Sequence, residues 1–448
     1  MKAKLLGRIH DYRYHSVMLL SEFDKTKNQF QFIRNKYFTK ESIDPRTKSK
    51  VTALTNSVIR LRGRLDFIIC SNAKINFKKT NVLIINILRI STFGILFNPD
   101  LPVYAIVDSA AGLAKTLTNN KGAGFVNAIL RKIDKEFSSL SDWESKYEKE
   151  IEWYSIPTWL YKKWERNYKK TELKKLLNKI NNNPPFNIRF SPSKISSKNL
   201  INELNKDSIK VEENKNHNKF LKIKNGLSRL LSSNLFQKGE ISLQDPAAGT
   251  VIDLLELKDD DIVIDACAAP GTKTLQIAQK LSKAGMVLAS DISPKRVKMG
   301  VADIKRHNLK NIQWSVKDAA TDSFESVAKI LIDVPCSGTG VLARKPDIRW
   351  RRKKSDILRF SELQFSILKN MSKYLLRGGE IIYSTCSLEK EENWSVVERF
   401  LNLNSDFIII PAKLDFPKGW INDEGCLETL PHIHGVDGMF AAKLKRKK

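Results

Sequence analysis

The sequence predicts an all-α amino-terminal domain, a small α/β module, and an α/β domain built on a doubly wound, largely parallel sheet. Three observations support this fold class. Helical periodicity runs through about residue 140, the pattern then loosens into short mixed segments, and from about residue 241 strand-like runs alternate with helical ones. A chain of 448 residues is long enough for two or three such domains. We therefore expect domains at 1–140, 141–240 and 241–448.

Apolar residues recur at helical spacing in the first of these regions. The stretch AGFVNAILRKI places Val126, Ile129, Leu130 and Ile133 on one face of a helix. The same periodicity runs through 51–70, 81–97 and 103–118. These segments predict a helical bundle.

The second region is organised differently. It opens with the charged helical stretch KWERNYKKTELKKLLNKI, breaks at NNNPP, and continues with short mixed segments such as FNIRFSP and FLKIKNG. This order predicts a helix, a linker and a small α/β module.

Strand-like and helical runs alternate in the third region. The strand-like runs are DIVIDA, MVLASD, NIQWSVKD, KILIDV and EIIYST. Their alternation with helices predicts right-handed crossovers and a sheet covered on both faces. The helix before the last strand is expected to be capped by Ser355 and to stop at Gly378 and Gly379.

The charge balance favours a partner that carries phosphates. The chain has 77 Lys and Arg against 49 Asp and Glu, a formal net charge of +28. A compositional bias towards Lys, Asn and Ile is the alternative explanation. Basic positions of the helical region could line an RNA-binding face or simply be solvated; they include Arg60, Arg62, Arg64, Lys115 and Lys121.

Cysteine usage and hydropathy indicate a reducing compartment. The chain has five cysteines, with no CxxC pair, which argues against a disulfide framework and a zinc site. The amino-terminal segment lacks an apolar core of signal-peptide length, and the apolar run NVLIINILRISTFGILF contains Arg89. We expect a soluble cytoplasmic protein, a monomer, with neither metal nor membrane.

Four predicted strands each end in an aspartate, at Asp265, Asp291, Asp318 and Asp333. In an open α/β sheet, ligands bind beyond the carboxyl ends of the strands. The first strand leads into ACAAPGTKT, which matches no phosphate-binding motif, and carboxylates would repel a phosphate. They suit a ligand with a ribose, an amino group and a positive charge, so the sequence predicts S-adenosylmethionine.

Two cysteines follow strands on this edge. Cys336 lies just beyond Asp333, and Cys386 follows EIIYST. A thiolate beside a methyl donor predicts methylation of carbon 5 of a pyrimidine, in which sulfur first adds to carbon 6. Lys273 or a helix amino terminus would lower the pKa of the thiol, and Asp333 would assist protonation of the ring. The residues alone do not rank the two cysteines.

A basic segment follows the first cysteine loop. ARKPDIRWRRKK, residues 343–354, combines Arg344, Lys345, Arg349 and Arg351 with Trp350. Such a segment suits single-stranded nucleic acid, held through phosphates and stacking, although a solvated start of a helix is the alternative.

The motifs DACAAPGTKT, LIDVPCSGTG, STCSLEKEEN and DGMFAAKL together resemble the Sun family of RNA 5-methylcytosine methyltransferases. The stretch GFVNAILRKI resembles the NusB-like domain of the family branch that acts on small-subunit ribosomal RNA. The resemblance implies a Rossmann-like S-adenosylmethionine-dependent methyltransferase domain preceded by an all-α NusB-like RNA-binding domain.

The resemblance also assigns roles to residues. Cys386 is the expected nucleophile and Cys336 assists product release, with Asp333 and Lys273 as the other catalytic residues. Cofactor binding is expected at Cys267, Ala268, Ala269, Pro270, Gly271, Thr272, Lys273, Asp291, Asp318 and Asp333. Thr272 departs from the family, which usually has a second glycine there, and its side chain is expected to crowd the methionine end of the cofactor. Cys70 and Cys426 match no motif and are taken as structural.

The expected function is methylation of carbon 5 of a cytosine in small-subunit (16S) ribosomal RNA. The same chemistry on transfer RNA or large-subunit ribosomal RNA is the nearest alternative. A non-catalytic RNA-binding assembly or antitermination factor is the alternative from another class, against which the cysteine pair and the four carboxylates argue.

Overall fold

A computed structural model describes residues 11–98, 100–137, 139–192, 194–214, 217–412 and 416–448. The first ten residues, which belong to the segment expected to lack a signal peptide, lie outside these ranges. The chain forms two compact units, Met1–Asn182 with Leu342–Arg352, and Asn183–Val341 with Lys353–Lys448. The three domain ranges expected from the sequence stay a prediction.

The first unit is helical, as its periodicity predicts. Its helices are α1 (Tyr12–Lys25), α2 (Phe30–Lys40), α3 (Pro45–Arg60), α4 (Arg62–Asn72), α5 (Val82–Phe97), α6 (Val103–Leu117), α7 (Asn120–Glu136), α8 (Leu140–Tyr147), α9 (Thr158–Asn167) and α10 (Lys170–Asn181). A 3-10 turn, Ile151–Tyr154, and the short helix Ile348–Arg351 complete it. The charged stretch expected to form one helix is thus divided between α9 and α10.

Helix α5 explains the apolar run that contains Arg89. Helix α5 is buried along most of its length, and Arg89 is only 3% exposed. Its guanidinium donates to Asp66 Oδ1 at 2.7 Å and to Asp24 Oδ2 at 2.8 Å. A buried charge is tolerated when it is paired in this way. Within the described ranges, no helix combines the length and the hydropathy needed to cross a bilayer.

Two of the basic residues considered for an RNA-binding face point into the unit instead. Arg64 donates to the Trp153 carbonyl at 2.7 Å, and its guanidinium lies over the Trp153 ring. Arg60 is 6% exposed, and burial lowers its pKa to about 10. The RNA-face interpretation is therefore wrong for this pair, whereas Lys115 and Lys121 are exposed, as that interpretation needs.

The basic segment expected to hold RNA is also largely occupied by protein contacts. Arg349 is 1% exposed. Its guanidinium donates to the carbonyl oxygens of Arg60, Ser155, Ile180 and Leu342 and to the Asn181 side chain. Trp350 Nε1 donates to the Ile59 carbonyl, and Arg351 donates to the Phe23 carbonyl. The prediction that Arg349 contacts RNA is therefore wrong. Its guanidinium is already bound by five acceptors of the protein.

The second unit begins with a four-stranded antiparallel sheet in the order β2-β3-β1-β4. Its elements are β1 (Phe186–Arg189), helix α11 (Ser197–Lys206), β2 (Val211–Glu213), β3 (Phe220–Ile223) and β4 (Ser242–Leu243). Leu200 and Leu204 of α11 are fully buried against this sheet in one core cluster. The prediction that this part of the chain forms a small α/β module is confirmed.

The larger sheet of this unit has the strand order β10-β12-β9-β8-β5-β6-β7, with β11 beside β12. Its strands are β5 (Ile262–Asp265), β6 (Met286–Asp291), β7 (Ile312–Val316), β8 (Val327–Asp333), β9 (Leu375–Thr385), β10 (Phe407–Ile409), β11 (Leu427–Thr429) and β12 (Met439–Arg446). Strands β5 to β9 pair in parallel, as predicted, and the last three pair antiparallel. The antiparallel edge was not expected from the sequence.

Four longer helices accompany this sheet: α12 (Thr272–Lys280), α13 (Pro294–His307), α14 (Lys354–Ser372) and α15 (Trp394–Leu403). The expected ends of α14 are wrong. The helix starts at Lys354, where Lys353 is the cap and the Asp356 carboxylate accepts the Lys353 amide. Its end is Ser372, and Gly378 and Gly379 lie inside β9, where the pairing with β8 is irregular and Gly378 has φ +76°. These glycines therefore shape a bulge and do not stop the helix.

We predict that Arg349→Met destabilises the helical unit. The methionine fills a similar volume but leaves buried carbonyl acceptors without a donor, at a cost of ~3 kcal/mol. Urea unfolding of the full chain, followed by the fluorescence of the buried Trp153 and Trp164, should show an early transition. The exposed Lys345 of the same segment supplies the control Lys345→Met. Equal midpoints for the two variants would contradict the role of Arg349.

Candidate active site

The first strand of the parallel sheet leads into the loop expected to bind the cofactor. The loop runs from Ala266 to Gly271, after which α12 begins at Thr272. Gly271 has φ +109°, and a Cβ atom there would lie 3.1 Å from the Trp314 ring. Glycine suits this position because other residues rarely adopt such a φ. The effect of Thr272 on a bound cofactor stays a prediction.

Asp291, at the end of β6, closes this loop. It is 3% exposed, and its two carboxylate oxygens accept from the amides of Ala269, at 3.3 Å, and Ser293, at 3.0 Å. Arg296 of α13 forms an ion pair with it at 3.1 Å and also donates to the Ala269 carbonyl. The sequence did not single out Arg296, which reaches the same carboxylate from the adjacent helix.

Asp318 and Asp333 follow two other parallel strands. Asp318 lies two residues beyond β7 and accepts the Ala320 amide at 2.9 Å. Asp333 ends β8 and binds two partners, Lys273 Nζ on Oδ2 and Ser384 Oγ on Oδ1, each at 2.7 Å. Lys273 thus extends from α12 to the end of β8. The structure brings together this predicted pair of residues.

Asp265 differs from the other three aspartates. It is 1% exposed and accepts Thr274 Oγ1 at 2.7 Å, while its Oδ1 has no hydrogen-bond partner among the described residues. Burial, augmented by the charge of Asp333, raises its pKa to about 7 despite the hydrogen bond from Thr274. The expectation that all four carboxylates line one open edge is therefore wrong for Asp265, which lies beneath the loop.

The side chains of Cys336 and Cys386 are in contact. Their Sγ atoms are 3.2 Å apart. Strands β8 and β9 pair in parallel with Asp333 opposite Ser384, so the turns that follow them leave the sheet side by side. The Gly340 amide donates to the Cys386 carbonyl at 3.0 Å and joins the two turns again. A thiol pair at one sheet edge is what the sequence predicted.

The two thiols have different electrostatic surroundings. The pKa of Cys336 is raised well above its usual value by the hydrogen bond with Cys386, by burial, and by the negative charges of Cys386 and Glu392. Burial lowers the pKa of the Lys273 ammonium, but the charges of Asp333 and Cys386 outweigh burial and raise it. A positive charge therefore accompanies Cys386, and a negative charge accompanies Cys336. The roles of the two cysteines stay a prediction.

The remaining cysteines lie apart from this pair. Cys267, in the cofactor loop, has a pKa raised well above its usual value by burial and by the neighbouring aspartates. Cys426 is buried, and burial raises its pKa to about 12. Cys70 is exposed on α4 of the other unit. Across the described part of the chain, no group of three or more His, Cys, Asp and Glu side chains is arranged to hold a metal ion.

We predict that Asp265→Asn changes the pH dependence of stability. Because the folded pKa is about 7 and the ordinary value is 3.8, the folded state holds a proton that the unfolded state has lost between these values. Stability should therefore fall as pH rises from about 4 to 7, by ~1.4 kcal/mol per unit of pKa shift. The amide variant lacks this slope. The midpoints of urea unfolding between pH 5 and 8 measure this slope. Asp260→Asn, a change at an exposed position, is the control. Parallel curves for wild type and Asp265→Asn would contradict the assignment.

Comparison with known proteins matches this architecture to three family models. Residues 252–445 match the 16S rRNA methyltransferase RsmB/F model. Residues 10–135 match the NusB family, and residues 156–228 match the ferredoxin-like domain of RsmF/B-like methyltransferases. The predicted NusB-like domain and the methyltransferase domain are confirmed.

Solved structures share the fold. The crystal structure of PH0851 covers 97% of this chain and 98% of its own, with a TM-score of 0.78 at 24% identity. NSun6 from Pyrococcus horikoshii with SFG covers 65% of this chain and 98% of its own, with a TM-score of 0.55 at 23% identity. At these identities the likeness supports the fold alone.

Curated relatives carry the family assignment. The probable ribosomal RNA small subunit methyltransferase B of Bacillus subtilis is 31% identical over 83% of this chain and 84% of its own length. The probable ribosomal RNA small subunit methyltransferase B of Synechocystis is 27% identical over 97% of this chain and 99% of its own length. The chain therefore belongs to the RsmB/F family of 16S rRNA methyltransferases, and its fold is that of the S-adenosylmethionine-dependent methyltransferases.

Proposed function

We propose that this protein methylates carbon 5 of a cytosine in 16S ribosomal RNA, using S-adenosylmethionine and a covalent adduct to Cys386. The observation that carries the proposal is the pair of sulfur atoms 3.2 Å apart, with Lys273 on the side of one thiol and Glu392 on the side of the other. Methyl transfer to a more reactive RNA atom would need no thiolate, whereas carbon 5 needs activation by a nucleophile.

The loop from Cys267 to Lys273 fits the cofactor. Its residues Cys267, Ala268, Ala269, Pro270, Gly271, Thr272 and Lys273 lie between β5 and the first turn of α12. The carboxylates of Asp291, which accepts the Ala269 amide of this loop, and of Asp333, which pairs with Lys273, suit a ligand that carries hydrogen-bond donors and positive charge. Asp291 would hold the ribose hydroxyls, Asp318 would lie near the adenine, and Asp333 would face the methionine end. When bound, S-adenosylmethionine supplies a methyl group that is electrophilic because it is attached to a sulfonium.

Cys386 acts first in the proposed reaction. Its thiolate, stabilised by the Lys273 ammonium, adds to carbon 6 of the cytosine, and the electron pair moves to carbon 5. Carbon 5 then takes the methyl group, a base removes the proton from carbon 5, and the carbon 5–carbon 6 double bond re-forms as the bond to Cys386 sulfur breaks. Cys336 assists this last step. Asp333, a third exposed, would hydrogen-bond the ring edge during addition.

The substrate assignment rests on family membership and on charge. The RsmB/F relatives are named for the small ribosomal subunit, and a net charge of +28 suits a polyphosphate partner. We propose that the protein acts as a monomer in the cytoplasm. Bisulfite sequencing of ribosomal and transfer RNA from a deletion strain would identify the cytosine, and loss of a mark from transfer RNA or large-subunit ribosomal RNA alone would overturn the 16S assignment.

The two cysteines should give opposite phenotypes. We predict that Cys386→Ala abolishes methyl transfer, because no thiolate remains to attack carbon 6. Cys336→Ala should instead accumulate a covalent protein–RNA adduct, visible on a denaturing gel with labelled RNA, because breakdown of the adduct is slowed. Cys70→Ala, a change at an exposed position, is the control. Methyl transfer by Cys386→Ala at the wild-type rate would refute the assignment of the nucleophile.

Cofactor affinity tests the carboxylate of β6. We predict that Asp291→Asn weakens binding of S-adenosylmethionine, because the amide cannot accept with both atoms, and that the dissociation constant rises about tenfold or more, since a charged hydrogen bond contributes ~1.5–3 kcal/mol. Calorimetric titration with S-adenosylmethionine measures this dissociation constant. Asp260→Asn, at the amino end of β5, is the matched control, and equal affinities for the two variants would contradict the role of Asp291.

A further inference from the structure

Glu392 is a fully buried carboxylate that the reaction as proposed does not use. It is 0% exposed and lies in the turn just before α15. Burial of a carboxylate is costly unless donors satisfy it. Three donors do so: Oε2 accepts the Ser337 amide at 2.8 Å and Gln364 Nε2 at 2.9 Å, and Oε1 accepts Ser387 Oγ at 2.8 Å.

Two of these three donors come from the two cysteine turns. Ser337 follows Cys336 directly, and Ser387 follows Cys386 directly. One carboxylate therefore bridges the residues that immediately follow the two thiols. The two serines also bond each other, Oγ to Oγ at 3.0 Å. The repeated Cys-Ser pair of the sequence thus places a serine of each turn within reach of the same buried group.

Further contacts hold the carboxylate itself. Gln364 of α14 donates to both Glu392 and the Pro335 carbonyl, which precedes Cys336. The Tyr383 hydroxyl donates to the Glu392 carbonyl and contacts Gln364 Oε1 at 3.2 Å. The bridge is thereby anchored to α14 and β9, so it cannot shift without moving the two turns.

The negative charge of Glu392 acts on Cys336. The Cys386 thiol and the Glu392 carboxylate are among the groups that raise the pKa of Cys336, and Cys336 in turn raises the pKa of the Tyr383 hydroxyl. The charge of Cys386 raises the pKa of Lys273, whose ammonium is paired with Asp333. A negative charge placed on Cys336 would be repelled by Glu392, whereas the same charge on Cys386 is next to an ammonium.

We propose that Glu392 is a positioning residue: it holds the Cys336 and Cys386 turns in contact through Ser337 and Ser387, and its buried negative charge directs the thiolate to Cys386. This deepens the proposed function and rests on it for its catalytic meaning. The geometry and the charge effect can nevertheless be tested on the protein without RNA.

The charge is tested with Glu392→Gln in the full chain. Site-resolved mass spectrometry after iodoacetamide treatment follows alkylation of each cysteine as a function of pH. In the wild type, Cys386 should react ahead of Cys336. In Glu392→Gln the Cys336 midpoint should fall by about one pH unit and the preference for Cys386 should shrink about tenfold. The control Glu398→Gln changes an exposed carboxylate of α15 and should match the wild type. An unshifted Cys336 profile in folded Glu392→Gln overturns the charge role.

The positioning role is tested with Ser387→Ala, which keeps the charge and removes one donor. Disulfide formation between Cys336 and Cys386 with diamide, which takes up the two thiol hydrogens, should slow. The kcat for methyl transfer should fall about tenfold to a hundredfold with little change in KM, while the Cys336 alkylation profile stays in place. Wild-type disulfide kinetics in this variant overturn the bridge, even if Glu392→Gln does not fold. An alkylation profile that moves in Ser387→Ala as in Glu392→Gln overturns the charge role, because it assigns the shift to turn geometry.

The two proposals fail differently. A protein that shows the alkylation and disulfide effects but forms no 5-methylcytosine refutes the proposed function and leaves the bridge intact. A protein that methylates cytosine normally, with unchanged thiol behaviour in both variants, refutes the bridge and leaves the function intact.

Discussion

The pairing of β8 with β9 is the constraint on which the site depends. These strands are parallel, with Asp333 opposite Ser384, and this register places the turns of Cys336 and Cys386 at the same sheet edge. A shift by one residue would send every side chain of a strand to the opposite face. The Asp333 carboxylate accepts Ser384 Oγ across the pair, so the register that forms the sheet also fixes a group that faces the thiols. The contact between the two cysteine turns thus follows from sheet pairing.

Charged groups of opposite sign lie near the two thiols. The two sulfur atoms are 3.2 Å apart. The Lys273 ammonium, paired with Asp333, interacts with Cys386, and the buried Glu392 carboxylate accepts the amide of the residue after Cys336. Each charge is in turn satisfied by the fold: Lys273 by Asp333, and Glu392 by three donors. A buried charge needs such partners, because an uncompensated one is strongly destabilising. The domain therefore carries opposite charges near one thiol pair, with Glu392 fully buried and the Lys273 side chain 12% exposed.

Periodicity and strand ends made the architecture and most of the site predictable. Helical spacing predicted α7 through Val126 and Ile133, and the strand-like runs predicted β5 to β9, because a periodic pattern reports which face is buried. Local signals failed where tertiary contacts decide. The local sequence of Arg349 predicts a solvated base, but the side chain is buried among carbonyl acceptors. The local sequence of Gly378 predicts the end of a helix, but the residue shapes a bulge in a strand. Glu392 lies within STCSLEKEEN, but its partner Ser337 is 55 residues away along the chain, and no local pattern reports that contact.

Arg349 and Glu392 illustrate one physical reason for these failures. Each is a charged side chain in a polar local sequence, and each is buried because several backbone or hydroxyl groups converge on it from distant segments. Hydropathy assigns such residues to the surface, since it counts the cost of removing a charge from water but not the hydrogen bonds that replace that water. Convergence of this kind is a property of three-dimensional packing. Around the cysteine pair, convergence on Glu392 brings a buried carboxylate into contact with the residues that follow both thiols, at a position that hydropathy would place in solvent.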